Sequence, residues 1–355
     1  MKIIASSPGR VCLFGEDVDY MGLEVITLAI NQRIEIQGKT NTSGKIEVFL
    51  EDLKRKIVFS NEKQYKLKKR DYVRSAFNIY QEFFPSNFGA RLSVKSTLPI
   101  GKGLSSSSAF CAALIGFFDK ACEYNSTKKE LAWNAYLAEV VNLGEPGGMM
   151  DHYASVVGNL VYLECREPYI VEELDSKLDG LVIGDTLTKK ETIQTITTRK
   201  KEIYQGIDFM KKKNPDFNLE SSLFQDVLDS YIVDKSKGLQ RLLGILGIRD
   251  TVREGYKIMK KSDKTPDVIA SLINRHHKYQ QTYFENVTQK MQKLINSAKE
   301  AGAIGCKLLG SGNGGSFLAY SPGKEEEVVK VIKSKGGYAY ILKQDNGLSV
   351  EILEN

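Results

Sequence analysis

A glycine- and serine-rich segment in the first third of the chain reads Leu98-Pro99-Ile100-Gly101-Lys102-Gly103-Leu104-Ser105-Ser106-Ser107-Ser108. The apolar run that follows it predicts a buried helix over residues 109–124. The first N–H groups of a helix have no partners inside it, and together with the helix dipole they favour an anion. Gly101 and Gly103 let the backbone approach such an anion closely. Because four consecutive serines exceed what an N-cap requires, the segment predicts a phosphate-binding loop.

This loop follows neither of two common patterns for phosphate transfer. A Walker loop ends on Gly-Lys-Ser/Thr, whereas Lys102 lies between two glycines, well before the predicted helix. The His-Arg-Asp and Asp-Phe-Gly signals of protein kinases do not occur in the sequence. The serine hydroxyls add donors for phosphate oxygens, and one of them can ligate magnesium. The loop therefore indicates a nucleotide-binding protein outside those two classes.

Length and composition bound the class of protein. The 355 residues exceed one ordinary core, and we predict domains at residues 1–175 and 176–355. The net charge is +6, and we interpret the lysine clusters as solvated surface because they lack regularly interleaved aromatic residues. Five widely spaced cysteines without a C-x-x-C pair indicate reduced thiols, and no apolar run approaches the roughly 18 residues of a membrane span. We therefore expect a cytoplasmic monomer or dimer that binds neither nucleic acid nor membrane.

Hydrophobic periodicity predicts strands and helices whose character changes from about residue 198. Before that point we predict strands at residues 3–5, 25–36, 91–96, 160–164 and 181–185, a hairpin at 45–49 and 56–59, and helices at 72–84, 109–124, 128–143 and 149–157. After it we predict helices at residues 199–213, 252–261, 265–301 and 325–334 and strands at 306–309, 314–320 and 338–343. We expect the domain boundary to lie ahead of this change, near residues 165–185.

A second informative segment, residues 7–20, carries one cation and three carboxylates around an apolar strand: Arg10, Glu16, Asp17 and Asp19. Closely spaced carboxylates can accept hydrogen bonds from several hydroxyl groups of a polyol. A surface turn between two strands has the same composition. The segment alone leaves both interpretations open.

Two further glycine-rich segments occur later in the chain. Asp151 follows the first of them, Gly144-Glu145-Pro146-Gly147-Gly148, and stands at a predicted helix start. There it either caps the helix or acts as a base for a hydroxyl nucleophile, and Arg10 as a partner would keep it ionised. The other segment, residues 309–315, lies between two predicted strands. It either admits a close approach to its backbone or forms a long hairpin turn.

In their order and spacing these segments resemble the galactokinase, homoserine kinase, mevalonate kinase and phosphomevalonate kinase (GHMP) superfamily. Residues 8–20 look like the galactokinase form of its first motif, residues 99–107 like its phosphate loop, and residues 310–315 like its third motif. Asp151 falls on the aspartate of the Gly-x-Met-Asp pattern. The resemblance implies a two-domain α+β fold, with an N-terminal ribosomal-S5-like domain, a C-terminal ferredoxin-like domain and the active site in the cleft between them.

The resemblance also implies roles for individual residues. Asp151 would be the base or an electrostatic anchor, with Arg10 beside it, and Ser107 and Glu139 would hold Mg²⁺. The residues implied for the acceptor pocket are Glu16, Asp17, Asp19, Tyr20 and Gly148. Those implied for ATP are Tyr72 on the adenine side and Gly101, Gly103, Leu104, Ser105, Ser106, Ser107 and Ser108 around the phosphates. The segments at Asp185-Thr186 and Thr198-Arg199-Lys200 also look like galactokinases.

The sequence departs from the galactokinase pattern at positions whose side chains contact the sugar or the nucleotide base in galactokinases. Galactokinases have histidine where this chain has Asp17, tryptophan at Lys69, glutamine at His152 and a sugar-contacting tyrosine near Ile196. An ionised Asp17 accepts hydrogen bonds and adds negative charge beside Glu16, so we expect it to disfavour a phosphorylated acceptor. We also expect Asp17→His to shift preference toward galactose.

The function implied is ATP-dependent phosphorylation of a sugar hydroxyl, at the anomeric C1 position of a galactose-like hexose. One alternative is a kinase for another monosaccharide or for a heptose phosphate. A second alternative, from a different class, is a sugar sensor without catalysis that uses the same scaffold. A mevalonate-type kinase is disfavoured, because Arg10 stands where mevalonate kinases have lysine. The implied ligands are ATP, Mg²⁺ and a small sugar.

Overall fold

Two β-sheets organise the chain in a computed structural model, which describes residues 1–61, 64–99, 101–189 and 192–353. Ile100 of the phosphate loop therefore lies outside the described residues. The first sheet has eight strands and the second has four. Helices pack on both, and the fold is α+β, as predicted.

The first sheet is built mainly from the N-terminal half. Its strands are β1 (Lys2–Phe14), β2 (Glu24–Asn41), β3 (Lys45–Leu50), β4 (Arg55–Ser60), β5 (Gly89–Ser96), β6 (Leu160–Glu164), β7 (Val171–Glu173) and β12 (Ser349–Leu353). The order is β12-β1-β2-β5-β3-β4, and β6 pairs with β2 and β7. A register shift between Pro8 and Arg10 interrupts the pairing of β1 with β2. A Cβ at Gly9 would lie 2.6 Å from the Leu104 carbonyl oxygen, so glycine here lets the phosphate loop pack on β1.

Four helices of the first half pack beside this sheet: α1 (Tyr72–Tyr80), α2 (Ser106–Ala121), α3 (Lys128–Tyr136) and α4 (Met150–Val157). The apolar run predicted as a buried helix forms α2, which is buried from Cys111 to Asp119. A single π turn, Leu137–Val141, continues α3. Such turns occur often at functional sites, and this one carries Glu139.

The second sheet is antiparallel, in the order β11 (Tyr338–Leu342), β8 (Leu181–Asp185), β10 (Ser316–Tyr320) and β9 (Gly305–Leu308). The helices of this half are α5 (Thr192–Lys213), α6 (Phe224–Val233), α7 (Lys237–Met259), α8 (Pro266–Tyr279), α9 (Gln289–Glu300) and α10 (Glu325–Ser334). The domain division at residue 175 stays a prediction. Strand β12 is an exception to it, because β12 pairs with β1 in the first sheet.

Two predictions for the helical region are wrong. The helix expected at residues 265–301 is divided into α8 and α9, because a π turn follows Tyr279, Glu285 adopts a left-handed φ of 52°, and Thr288 caps α9. The helix expected at residues 252–261 begins at Lys237, and its buried residues lie on all of its sides. A helix buried on all sides shows little amphipathic period, which hid its first half. No described helix is long and apolar enough to cross a membrane.

Candidate active site

A cavity of about 990 Å³ lies between the phosphate loop, the acidic segment and the start of α4. The residues from the sequence prediction that line it are Arg10, Glu16, Asp17, Asp19, Tyr20, Tyr72, Gly101, Gly103, Ser105, Ser106, Ser107, Ser108, Glu139, Gly148 and Asp151. Leu104 is different, since its side chain is buried in the core. Its carbonyl oxygen accepts a hydrogen bond from the Arg10 N–H at 3.2 Å, so it fixes the loop to β1.

Asp151 lines this cavity, and each of its two carboxylate oxygens accepts a hydrogen bond from another side chain. Arg10 Nε donates to Asp151 Oδ1 at 2.7 Å, and Ser105 Oγ donates to Asp151 Oδ2 at 2.6 Å. Arg10 Nη1 also donates to the Gly103 carbonyl oxygen at 2.8 Å, which links the aspartate to the phosphate loop. Burial alone would raise the pKa of Asp151, but the Arg10 charge and the Ser105 hydrogen bond outweigh it and lower the pKa below its ordinary value. Asp151 is therefore ionised at neutral pH.

The phosphate loop has the backbone that its glycines suggest. The φ angles of Gly101, Gly103 and Ser105 are 71°, 82° and 58°, all in the left-handed region. Ser105 precedes α2, but its hydroxyl bonds Asp151 and does not cap the helix. The first-turn N–H groups of α2 therefore have no side-chain cap at that position, which leaves them free to meet an anion.

Two carboxylates of the acidic segment pair with cations from the second half of the chain. Glu16 pairs with the fully buried Lys307 and accepts a hydrogen bond from the Gly310 N–H. Asp17 pairs with Arg199, and the Tyr20 hydroxyl donates to it at 3.2 Å. Arg199 therefore neutralises the negative charge that Asp17 adds beside Glu16. That this site disfavours a phosphorylated acceptor stays a prediction.

Asp19 is the carboxylate of this segment that has no cation within ion-pairing distance among the described residues. Burial and the nearby Asp151 charge raise the pKa of Asp19 to about 7. A Cβ at Gly148 would lie 2.2 Å from Asp19 Oδ2, so only glycine leaves room for this carboxylate. Asp19 is thus a carboxylate of the cavity lining that no described cation neutralises, and its oxygens can accept hydrogen bonds from a ligand.

The other end of the cavity carries Tyr72 at the start of α1. The Tyr72 hydroxyl donates to Glu145 Oε1 at 3.3 Å. The lining of the cavity also includes apolar side chains, Leu50, Leu53, Ile57, Val94 and Phe110, and basic ones, Arg55, Lys68, Lys69 and Arg70. Lys69, where the resemblance has tryptophan, is among them. An apolar wall beside basic groups suits a nucleotide base and its phosphates.

Glu139 and Ser107 both offer side-chain oxygen atoms, the donors that magnesium prefers. Both line the cavity, and Glu139 Oε2 lies 2.7 Å from Nε2 of the buried His152, which fixes that carboxylate. No cluster of three or more His, Cys, Asp or Glu side chains suited to a metal occurs among the described residues. Mg²⁺ does not need such a cluster, because it is usually held by one or two protein oxygens together with substrate phosphates and waters.

Sequence reasoning missed three contacts that shape the site. Lys307 was not singled out, although a lysine inside an apolar predicted strand was a signal of a buried partner. Arg199 was singled out because its segment looks like that of galactokinases, but its ion pair with Asp17 was not predicted. Lys102 of the phosphate loop pairs with Asp185 at 2.9 Å, which joins the loop to the second sheet. In each case the partner lies more than 80 residues away along the chain.

Two family models match the chain. Residues 71–159 match the model described as GHMP kinases N terminal domain, and residues 1–40 match the one described as galactokinase galactose-binding signature. A mevalonate kinase of Pyrococcus abyssi is 29% identical over 362 residues, with 98% of each chain covered. A galactokinase of Thermococcus kodakarensis is 28% identical over 323 residues, covering 88% of this chain and 87% of that protein.

Solved structures agree on the fold. Lactococcus lactis galactokinase complexed with galactose has a TM-score of 0.86 at 19% identity, and covers 98% of this chain and 95% of its own. The Methanococcus jannaschii mevalonate kinase has a TM-score of 0.72 at 18% identity, and covers 97% of this chain and 98% of its own. The fold, the site and the family matches define an ATP-dependent kinase that acts on a small molecule. More particularly, the chain is similar to members of the GHMP kinase superfamily over nearly its whole length, and residues 71–159 match the N-terminal domain of these kinases.

Proposed function

We propose that this kinase phosphorylates a hydroxyl group of an uncharged monosaccharide, and that the hydroxyl is the anomeric one of a galactose-like hexose. In this proposal the loop at residues 101–108 holds the ATP phosphates, and the Tyr72 end of the cavity holds the base. The acceptor lies against Asp19 and Gly148, with the hydroxyl that reacts facing Asp151.

Asp151 orients the acceptor hydroxyl and takes its proton. Phosphoryl transfer depends on positioning and charge neutralisation more than on covalent chemistry, so a fixed carboxylate suits this step. Arg10 and Ser105 donate hydrogen bonds to the two carboxylate oxygens of Asp151 at 2.7 and 2.6 Å, which keeps the side chain ionised and fixes its orientation. Arg10 also stabilises the charge that Asp151 and the acceptor oxygen share during transfer.

The observation that carries the choice of a neutral acceptor is the pairing of the nearby cations. Lys307 and Arg199 are each taken by a carboxylate of the protein, Glu16 and Asp17, and both are buried. They cannot neutralise a carboxylate or phosphate on the acceptor without giving up those partners. Asp19 instead offers a hydrogen-bond acceptor to neutral hydroxyl groups.

The test is a panel of acceptors with ATP and magnesium, with ADP release as the measurement. The panel includes galactose, other free hexoses and pentoses, a heptose phosphate and mevalonate. The assay is run at pH 8, above the pKa of about 7 at Asp19, where this carboxylate is ionised. We expect the highest kcat/KM with a free sugar. Strong preference for the heptose phosphate or for mevalonate would overturn the neutral acceptor, and tight ATP and sugar binding without turnover would favour the sensor.

Mevalonate is the second candidate. The names of several relatives favour it, among them the Pyrococcus abyssi protein that is aligned over 98% of both chains. Lys200 has no ion pair among the described residues, and its Nζ lies 5.5 Å from the centre of the ring of Tyr20, a residue of the cavity lining. A mevalonate carboxylate would need this lysine. The acceptor panel separates the two candidates directly.

We also propose that Mg²⁺ is held by Glu139 and Ser107, together with phosphate oxygens of ATP. When bound there, the metal would neutralise negative charge on the phosphates during transfer. Glu139→Gln and Ser107→Ala each remove an oxygen ligand, so each is expected to raise the Mg²⁺ concentration needed for half-maximal activity. The measurement is a magnesium titration at saturating ATP, with Glu130→Gln as the control, because Glu130 caps α3 outside the cavity. Titrations that match wild type in both variants would remove this assignment.

A further inference from the structure

We propose that the third glycine-rich loop, residues 309–315, is a relay that transmits occupancy of the phosphate loop to the acceptor pocket, and that the Lys102–Asp185 ion pair is its entry. This inference rests on the proposed function in one respect, namely that nucleotide binds at residues 101–108. It follows from a continuous series of contacts between described residues that runs from the phosphate loop to Asp17.

The first contact leaves the tip of the phosphate loop. Lys102 Nζ lies 2.9 Å from Asp185 Oδ2, and it donates to Asp185 Oδ1 at 3.2 Å. Asp185 is the last residue of β8 and is 4% exposed. Arg10 fixes the far part of the loop to β1, whereas a Cβ at Gly101 would meet nothing within 4 Å. The tip is therefore loosely packed, and the ion pair ties it to the second sheet.

The second contact joins β8 to one end of the third loop. Thr186 follows Asp185, and both its N–H and its hydroxyl donate to the Gly315 carbonyl oxygen, at 3.0 and 2.8 Å. The Gly315 N–H in turn donates to the Thr188 carbonyl oxygen at 3.2 Å. These three hydrogen bonds tie Gly315 to Thr186 and Thr188, and they leave this end of the loop little freedom to move. A displacement of Asp185 must therefore reach Gly315.

The third contact joins the other end of the loop to the acceptor pocket. The Gly310 N–H donates to Glu16, and the Ser311 carbonyl oxygen accepts from Arg199 Nη2 at 3.1 Å. Arg199 is the partner of Asp17. The two ends of the loop thus contact the phosphate side and the acceptor side of the cavity respectively.

The middle of the loop is rigid enough to connect its ends. A Cβ at Gly312 would lie 2.6 Å from Asn286 Cβ, so the backbone packs directly against that side chain. The Asn313 N–H donates to the Asn286 carbonyl oxygen at 2.8 Å. The absence of side chains at the glycines is what allows this close packing. A loop held in this way transmits small shifts and does not absorb them.

Nucleotide binding supplies the perturbation. The phosphates carry several negative charges, which attract the Lys102 ammonium and repel the Asp185 carboxylate. They also order the loosely packed tip. The position and order of the ion pair therefore depend on occupancy, and by linkage any effect on the acceptor pocket is reciprocal.

Hydrogen–deuterium exchange with and without the magnesium complex of adenylyl imidodiphosphate tests the relay. In wild type, the analogue is expected to slow exchange at residues 101–108, and also by about fivefold or more at residues 15–22 and 309–316, the low end of typical coupling between sites. Asp185→Asn and Lys102→Met remove the charge pair and keep the size of the side chains. At a concentration of the analogue that saturates each variant, both are expected to retain the slower exchange at residues 101–108 and to lose it at residues 15–22 and 309–316, the two remote segments.

Lys324→Met is the matched control, because Lys324 forms an exposed ion pair with Glu327 in the same half of the chain. It is expected to retain the remote effect. If the analogue still slows exchange at the remote segments in both test variants, the relay is overturned. If only one of the two variants loses this effect, the Lys102–Asp185 ion pair is not the entry. Wild type without protection at residues 101–108 would overturn the nucleotide site itself. Exchange without the analogue shows that each variant is folded.

Discussion

An Asp151→Asn variant is expected to bind ATP as wild type does and to lose about 10²–10⁴-fold in kcat, the usual contribution of a positioned general base. The amide keeps the shape of the side chain but has no negative charge to hold a proton. Arg10, at 2.7 Å, would then face a neutral group, and the acceptor hydroxyl would lose the group that orients it. The measurement is kcat with the best acceptor of the panel, together with the dissociation constant of adenylyl imidodiphosphate.

Asp345→Asn is the matched control for this variant. Asp345 pairs with Arg33 at 2.9 Å, and its side chain is 28% exposed, against 25% for Asp151. It lies outside the cavity, so its loss removes the same kind of ion pair without touching the site. Wild-type kcat in a folded Asp151→Asn protein would show that Asp151 is neither the base nor an anchor on which transfer depends.

The parts of the site that lie close together in the sequence were accessible to prediction. The phosphate loop is a local motif in which the backbone, the serines and the following helix all point to the same ligand. The pairing of Arg10 with Asp151, across 141 residues, was expected from charge complementarity and from the resemblance, and the structure brings the two together. The buried helix α2 and the strands other than β7 and β12 were predicted from the hydrophobic pattern alone.

The partners of the acidic segment could not be predicted in the same way. Glu16 and Asp17 are next to each other in the chain, but their cations are Lys307 and Arg199, 291 and 182 residues away. Nothing in the local pattern decides which of many lysines and arginines becomes buried against them. The charge that an acceptor meets depends on that choice, and so the sequence alone did not indicate that Arg199 neutralises Asp17. A buried ion pair is a property of the tertiary fold.

An Asp17→Asn variant is expected to lower the free energy of unfolding by about 3–5 kcal/mol, the usual cost of removing one partner of a buried pair. Asp17 and Arg199 have side chains that are 3% and 5% exposed. Without the carboxylate, the guanidinium stays buried between the Ser311 carbonyl oxygen and the Phe284 ring, with its charge uncompensated. Urea unfolding, followed by circular dichroism, measures the change. A single cooperative transition is needed for this comparison.

Glu254→Gln is the control for stability, because Glu254 also pairs with an arginine, Arg275, and the side chains of this pair are 51% and 37% exposed. Exposed pairs contribute about 0–1 kcal/mol, so this variant should unfold near wild type. The double variant Asp17→Asn with Arg199→Met removes both charges, and it is expected to be more stable than Asp17→Asn alone. If Asp17→Asn unfolds as wild type does, the buried pair is not formed.

The same pair changes the expectation for Asp17→His. An imidazole at this position would lie against Arg199 and would be a weak partner when neutral and a repulsive one when protonated. The Arg199 side chain also contacts Ser311, so its displacement would disturb the loop behind the acceptor pocket. We therefore expect Asp17→His to lower kcat/KM for every acceptor of the panel, including galactose, and to lower stability as Asp17→Asn does. A higher kcat/KM with galactose alone, at wild-type stability, would show instead that Asp17 contacts the sugar directly and that its pairing with Arg199 is dispensable.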